Sequence, residues 1–263
     1  MSPAAAKRSA NTASDTERSR YVLRLADTSL ILGQRLGELV GHAPALEEDL
    51  GLANFSLDLI GQARLLLTYA GELEGRGRNE DQLAFLRDGS DFFNVALAEQ
   101  PNGDFGGTIV KQCLLDGWQL ELYSELQHST DRRLAEIAAK ALKETQYHFR
   151  YSANWLVRLG DGTEESKGRV QSALDELWRF TAELFAPDAL DEQMAAIGVA
   201  PDLSKLHARW LARIDAVLRE ATLARPADVS YPWHGKRGQH SEHLGYLLAE
   251  MQFMQRTYPG SQW

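Results

Sequence analysis

The segment KETQYHFRY, residues 143–151, sets a histidine in the middle of a run whose apolar residues recur in alternating steps of three and four. Extending that alternation places Leu134, Ala138, Ala141, Thr145, His148, Ser152, Trp155 and Leu159 on one face of a long helix. After GHAP, residues 41–44, a second stretch repeats the pattern with Leu52, Phe55, Leu59, Gln62, Leu66, Tyr69 and Leu73. Two seams of this kind on long helices joined by short loops predict an all-α fold, a helical bundle with additional packed helices. Three polar residues, Gln62, Thr145 and His148, interrupt seams that are otherwise apolar or small, and they raise the question of function.

Strand signals are scarce elsewhere, and Ala, Leu, Glu, Gln and Arg dominate segments punctuated by Gly, Pro and Asp. Helices are expected over Thr16–Val40, Ala45–Leu73, Asn79–Leu97, Gly107–Gln127, Asp131–Leu159, Thr163–Phe185 and Leu203–Thr222, with breaks at GRGRNE, QPNGDFGG and GDGT. Thr163 and either Ser129 or Asp131 are placed to cap the helices that follow them. Acid pairs such as Glu47–Glu48 and Glu164–Glu165 fall at helix starts, where negative charge favours the dipole. Residues 1–18 are small, polar and rich in Ser and Ala, and read as a disordered tail ahead of one helical domain, 19–263. They lack the apolar core of a signal peptide, and no segment resembles a transmembrane run, so a cytoplasmic protein is expected. The net charge of -9, with no cluster of Lys and Arg, excludes a nucleic-acid footprint. A single cysteine, Cys113, excludes an intramolecular disulfide and any Cys-rich metal site.

A di-iron carboxylate bundle places one acid on each of two helices and a Glu-x-x-His pair on each of two others. Spacing i, i+3 sets carboxylate and imidazole on one helical face. Thr145 and His148 have that spacing, as do Leu59 and Gln62, but the ligand types are wrong: one side chain without a donor, one amide and one hydroxyl stand where carboxylates or imidazole are needed. Glu144 is rotated about 100° from Thr145 and points to the flank of the stripe. Asp116, in LLDGW, shares an inward face with Ile109, Cys113, Leu120 and Tyr123. It reads either as a single carboxylate ligand or, preferably, as a buried acid bonded to a neighbouring helix or paired with Arg35 or Arg64. A lone imidazole such as His148 is more often a satisfied core residue than a ligand. His240, Glu242 and His243 could form a zinc patch, yet a helix start with polar capping is the more economical reading. Walker and dinucleotide fingerprints are missing, and Cys113 sits in an apolar helix rather than in a nucleophile's setting.

RLGELVGHAP, EEDLGLANFSLDLIGQAR, EQPNGDFGGTI, LKETQYHFRYSANWLVRLGDGT, LWRFTAELF and the ending GKRGQHSEHLGYLLAEMQFMQRTYPGSQW together resemble the PaaC family, structural subunits of the phenylacetyl-CoA epoxidase of aerobic phenylacetate degradation. The resemblance covers nearly everything after about residue 20. It implies a ferritin-like bundle without a cofactor of its own, beside a catalytic subunit, PaaA, that carries the di-iron site on a similar scaffold. It further implies a bridging subunit, PaaB, and a reductase, PaaE, and it is compatible with homodimer contacts. Against the catalytic subunit's pattern, the Asp-Glu-Ala-Gly-His segment falls on DLIGQ, so Leu59 and Gln62 replace a Glu and a His. The Glu-Ser-Phe-His segment falls on TQYH, which keeps His148 and puts Thr145 in place of Glu. A third-helix acid falls on Asp116, and a first-helix Glu falls near Ser29.

The resulting expectation is a non-catalytic subunit of a multicomponent monooxygenase acting on phenylacetyl-CoA. Its vestigial positions are Leu59, Gln62, Asp116, Thr145 and His148, whose polar members form a core hydrogen-bonded among themselves or to water. The competing reading is an independent metal-dependent oxidoreductase built on Asp116, Glu144 and His148. A freestanding helical interaction protein is the third.

Overall fold

A computed structural model describes residues 3–229 and 232–261, with side chains described from residue 15 onward. In chain order the helices are α1 (Pro3–Glu38), α2 (Leu46–Glu74), α3 (Glu80–Phe85), α4 (Ala96–Glu99), α5 (Phe105–Leu126) and α6 (Arg132–Gly160). They are followed by α7 (Glu164–Leu177), α8 (Ala182–Phe185), α9 (Ala189–Ala196), α10 (Leu203–Glu220), α11 (Glu242–Met251) and α12 (Phe253–Thr257). Among the described residues there is no strand, only an isolated bridge between His234 and Gln239.

Local chemistry sets the ends of the long helices. The first turn of α2 carries Glu47, Glu48 and Asp49 against the positive end of its dipole, and the helix closes on Gly75 in the left-handed region, φ 68°. Asp131 caps α6 by accepting from Leu134 N (3.1 Å), and Thr163 forms a reciprocal capping box with Ser166 at the start of α7. At the far end of α6, a Cβ on Gly160 would stand 2.3 Å from the carbonyl oxygen of Ala221, so only glycine lets α6 end against the segment after α10.

Helix α1 packs along α2, α5 packs along α6, and the two pairs meet through α2 and α6. Helices α7 and α10 lie against α5 and α6. This encloses α5, which buries polar as well as apolar side chains along its length, Lys111, Gln112, Asp116 and Gln119 among them. Both expected seams face the core: Leu52, Phe55, Leu59, Gln62, Leu66 and Tyr69 are buried on α2, as are Leu134, Ala138, Ala141, Thr145, His148 and Ser152 on α6. The four long helices make an all-α, ferritin-like bundle. No helix among the described residues is long and apolar enough to cross a membrane.

Two expected helices are broken. The segment expected as one helix over Asn79–Leu97 divides into α3, a 3-10 turn at Gly89–Asp91, an extended stretch and α4. The extended stretch finds its backbone partners on side chains elsewhere: Phe93 N donates to Asp27 Oδ2 (2.9 Å), Val95 N to Thr28 Oγ1 (3.2 Å) and Ala96 N to Glu183 Oε2 (2.7 Å). These bonds replace the i−4 carbonyls a helix would use. The helix expected over Thr163–Phe185 likewise ends at Leu177, and the 3-10 turn after it sets Trp178 against Trp210, ring centroids 5.5 Å apart. Helix α9, with a capping box between Asp188 and Asp191, was not expected. Of the tail expected over 1–18, residues 1 and 2 lie outside the described residues, as do the side chains of 3–14. At 15–18 the chain continues α1, and Arg18 lies 3.7 Å from Asp131.

Asp27 and Arg87 are both buried and share two hydrogen bonds, one of them 3.0 Å from Arg87 Nη1 to Asp27 Oδ2. Removing one member of a buried pair strands the other, at a cost of about 3–5 kcal/mol. Asp27→Ala is expected to lower the stability from urea unfolding by that amount; a loss below about 1 kcal/mol would show that the pair does not hold the extended stretch.

Candidate functional site

The polar residues of the seams come from three helices. Gln62 lies on α2, Asp116 on α5, and Thr145 and His148 on α6, all essentially inaccessible to solvent. Leu59, also fully buried, fills the α2 position one turn before Gln62 with hydrocarbon. Ser29 of α1 stands opposite, its hydroxyl 3.4 Å from that of Tyr123 on α5.

Of the two alternatives expected for the polar members, bonding among themselves or to water, the first does not occur. Gln62 turns its amide to the flank, where Nε2 donates to Glu144 Oε2 (2.9 Å), and its Oε1 accepts from the Tyr123 hydroxyl at 3.4 Å. Glu144 is itself 3.1 Å from Lys140. Its flanking position follows from helical phase, but its role as partner to Gln62 does not.

His148 turns the other way. Its Nε2 is 3.0 Å from Asp58 Oδ2, and its ring lies against Phe55, centroids 4.0 Å apart. Burial lowers the pKa of the imidazole, and the hydrogen bond and charge of Asp58 only partly oppose that. A neutral ring that donates through Nε2 leaves Nδ1 as an acceptor, and Nδ1 has no protein partner; neither does Thr145 Oγ1. Asp58 immediately precedes Leu59 and so lies off the inward stripe, where helical phase alone gives no sign of it.

Asp116 accepts from Gln112 Nε2 (2.6 Å) and from Ser152 Oγ on α6 (2.8 Å). The bond to a neighbouring helix is as expected, but pairing with an arginine is not found. Arg35 instead binds the carbonyl of Glu99, the carboxylate of Glu38 and the carbonyl of His243, and Arg64 lies at the surface 3.5 Å from Glu80. With no cation beside it, Asp116 is dominated by burial, which pushes its pKa up to about 8 against the two hydrogen bonds that lower it. At neutral pH it is mainly a carboxylic acid.

These residues do not fit a carboxylate-bridged metal pair, which needs several anionic oxygens and imidazoles converging on one centre. Leu59 supplies no donor, Gln62 and His148 diverge toward separate rim carboxylates, and Asp116 is engaged by Gln112 on α5 and Ser152 on α6. The alternative centre of Asp116, Glu144 and His148 is not assembled either, since each member binds different partners. Among the described residues, no group of three or more His, Cys, Asp or Glu stands close enough to hold a metal ion.

The C-terminal histidine patch also resolves otherwise. Ser241 begins α11 without a side-chain cap, so the polar capping expected there is not made. His240 joins the buried Glu99, with Nδ1 2.7 Å from Oε2 and Nε2 2.9 Å from the carbonyl oxygen of Phe92. Burial acts to lower its pKa, but the bond and charge of Glu99 outweigh it and raise the value.

Two pH effects of opposite sign follow. The folded pKa of Asp116 lies above its ordinary 3.8, so its stabilising contribution is complete below that value and is lost as the pH rises toward about 8. Within that window the loss approaches ~1.4 kcal/mol per pH unit. Asp116→Asn is expected to flatten the fall in urea midpoint between these limits and to be more stable than the parent at the alkaline end; an unchanged slope would contradict the protonated acid. His148, lowered, stabilises above its unfolded pKa of about 6.5, and that contribution is lost as the pH falls. His148→Gln should therefore reduce the acid-side slope in the same measurement.

Comparison with known proteins identifies the family. The family described as phenylacetic acid catabolic protein matches residues 1–263. The chain is 53% identical over 243 residues to a component of the 1,2-phenylacetyl-CoA epoxidase of Escherichia coli (strain K12), the subunit designated C, covering 92% of this chain and 98% of that relative.

Proposed function

The chain belongs to the phenylacetic acid catabolic protein family, and on that premise we propose that it is the non-catalytic structural subunit of a multicomponent monooxygenase that epoxidises the aromatic ring of phenylacetyl-CoA. The observation that carries this reading is the divergence of Gln62 and His148 to separate rim carboxylates, with Leu59 filling the position between the seams. Such a core holds helices in place by packing and supplies no converging donors for oxygen chemistry. The subunit binds no metal of its own in this reading, and the di-iron centre belongs to a catalytic partner of the PaaA type. A bridging subunit like PaaB and a reductase like PaaE complete the assembly, which works in the cytoplasm.

What the chain offers its partner is surface. Leu46, Leu50 and Leu57 of α2 and Tyr147 of the adjoining α6 stand exposed, apolar area that a neighbouring subunit would cover. The test is reconstitution. The catalytic, bridging and reductase components, expressed with and without this chain, are assayed for oxygen-dependent epoxide formation from phenylacetyl-CoA. Activity is expected only when the chain is present, and full turnover without it would overturn the proposal.

A further inference from the structure

Away from the seams, the start of α11 is fastened by a buried pair. Glu99 of α4 is wholly inaccessible to solvent, and the His240 side chain is 7% exposed. Three N–H groups converge on the Glu99 carboxyl: Ser241 N at 2.6 Å on Oε1, and Asn94 Nδ2 at 2.8 Å and His240 Nδ1 at 2.7 Å on Oε2. The other ring nitrogen of His240, Nε2, is 2.9 Å from the carbonyl oxygen of Phe92. A neutral imidazole carries one N–H, yet both nitrogens here face accepting oxygens: a carbonyl oxygen can do nothing else, and the Glu99 oxygens already receive from Ser241 and Asn94. Either neutral tautomer would set a nitrogen lone pair against an oxygen lone pair.

We infer that His240 is a proton-operated latch on the C-terminal segment. As imidazolium it bridges the Glu99 carboxylate and the Phe92 carbonyl and clamps the start of α11; on losing its proton it gives up one of the two bonds and leaves the buried Glu99 without a cation. Helix α11 lies against α1, α4 and the 3-10 turn at Gly89–Asp91, with Leu244, Leu247 and Leu248 buried, so loosening this end uncovers an apolar face. Arg35 holds the carbonyl of His243 in either protonation state, so the helix is loosened and not cast off. The charged surroundings set the sign. Burial acts to lower the pKa of the ring, and Glu99 by bond and charge, the Phe92 carbonyl and Glu183 together raise it. Nearby cations are matched elsewhere: Arg35 by Glu38, Arg87 by Asp27 and Lys236 by Asp191. On the same helix Glu242 is exposed and His243 half-buried. With its folded pKa above the ordinary 6.5, the clamp is complete below that value and is lost as the pH rises through the folded pKa.

The test uses the full chain. Heteronuclear NMR of the sequentially assigned histidine rings is expected to show both nitrogens of His240 protonated at about pH 7, where an ordinary imidazole is mainly neutral. Hydrogen exchange of α11, corrected for the intrinsic pH dependence of exchange, then follows the latch: its opening constant should rise by up to about tenfold per pH unit across the titration of His240. In His240→Gln the opening constant should already be raised at low pH and stay flat over the same range. Asp116→Asn, which removes the other group whose contribution fades with rising pH, should keep the parental rise at α11. A His240 ring with a single protonated nitrogen at that pH, or a parental α11 profile that matches His240→Gln, would overturn the inference. If His240→Gln does not fold, the ring titration of the parent decides alone.

Discussion

A polar side chain that faces the axis of a helical bundle has no bulk water to turn to, and each one left unpaired is costly. Gln62, Asp116 and His148 all meet this condition, and where each finds its partner organises the middle of the molecule. Gln62 and His148 lean out of the cleft between α2 and α6 to carboxylates at its edge, Glu144 and Asp58. Each bond crosses from one helix to the other, so the two together fix the register of α2 against α6. Asp116 does the same for α5 and α6 through Ser152. These seam side chains stitch neighbouring helices in pairs.

The charge balance follows from this arrangement. A carboxylate-bridged metal pair buries several anions and two cations at once, and neither set is tolerable without the other. With Leu59 and Thr145 on the seams, no carboxylate occupies either position. The one acid that remains fully buried among them, Asp116, is held near neutrality by raising its pKa rather than by a counter-ion. Phe55 against the His148 ring shows how far the surroundings have become hydrocarbon. A subunit built in this way contributes shape and surface, in keeping with a structural place in a larger oxygenase.

Much of this was legible in the chain because helical phase is a local property. Every seam residue from Leu52 to Tyr69 and from Leu134 to Ser152 is buried as the three-and-four alternation requires, and the caps at Asp131 and Thr163 follow from residue type alone. What was not legible depends on contacts distant in sequence. Nothing local in residues 79–97 announces that Asp27 and Thr28 will take their backbone N–H groups and interrupt the helix. Arginine pairing for Asp116 failed for a similar reason, because Arg35 is claimed by carbonyls of Glu99 and His243. Asp58 and Glu144 give no local sign of being partners because they flank the stripes instead of lying on them, and only the three-dimensional approach of α2 to α6 brings them into reach.

The most direct test of the proposal that this bundle binds no metal of its own is the iron content of the purified chain, expressed with iron supplementation, alone and then with the proposed catalytic partner. The isolated chain should carry no stoichiometric iron or other transition metal, and all iron in the complex should travel with the partner. Stoichiometric iron in the isolated chain, lost on His148→Ala, would contradict this and would mean that the site between α2, α5 and α6 binds metal in a form different from the one described.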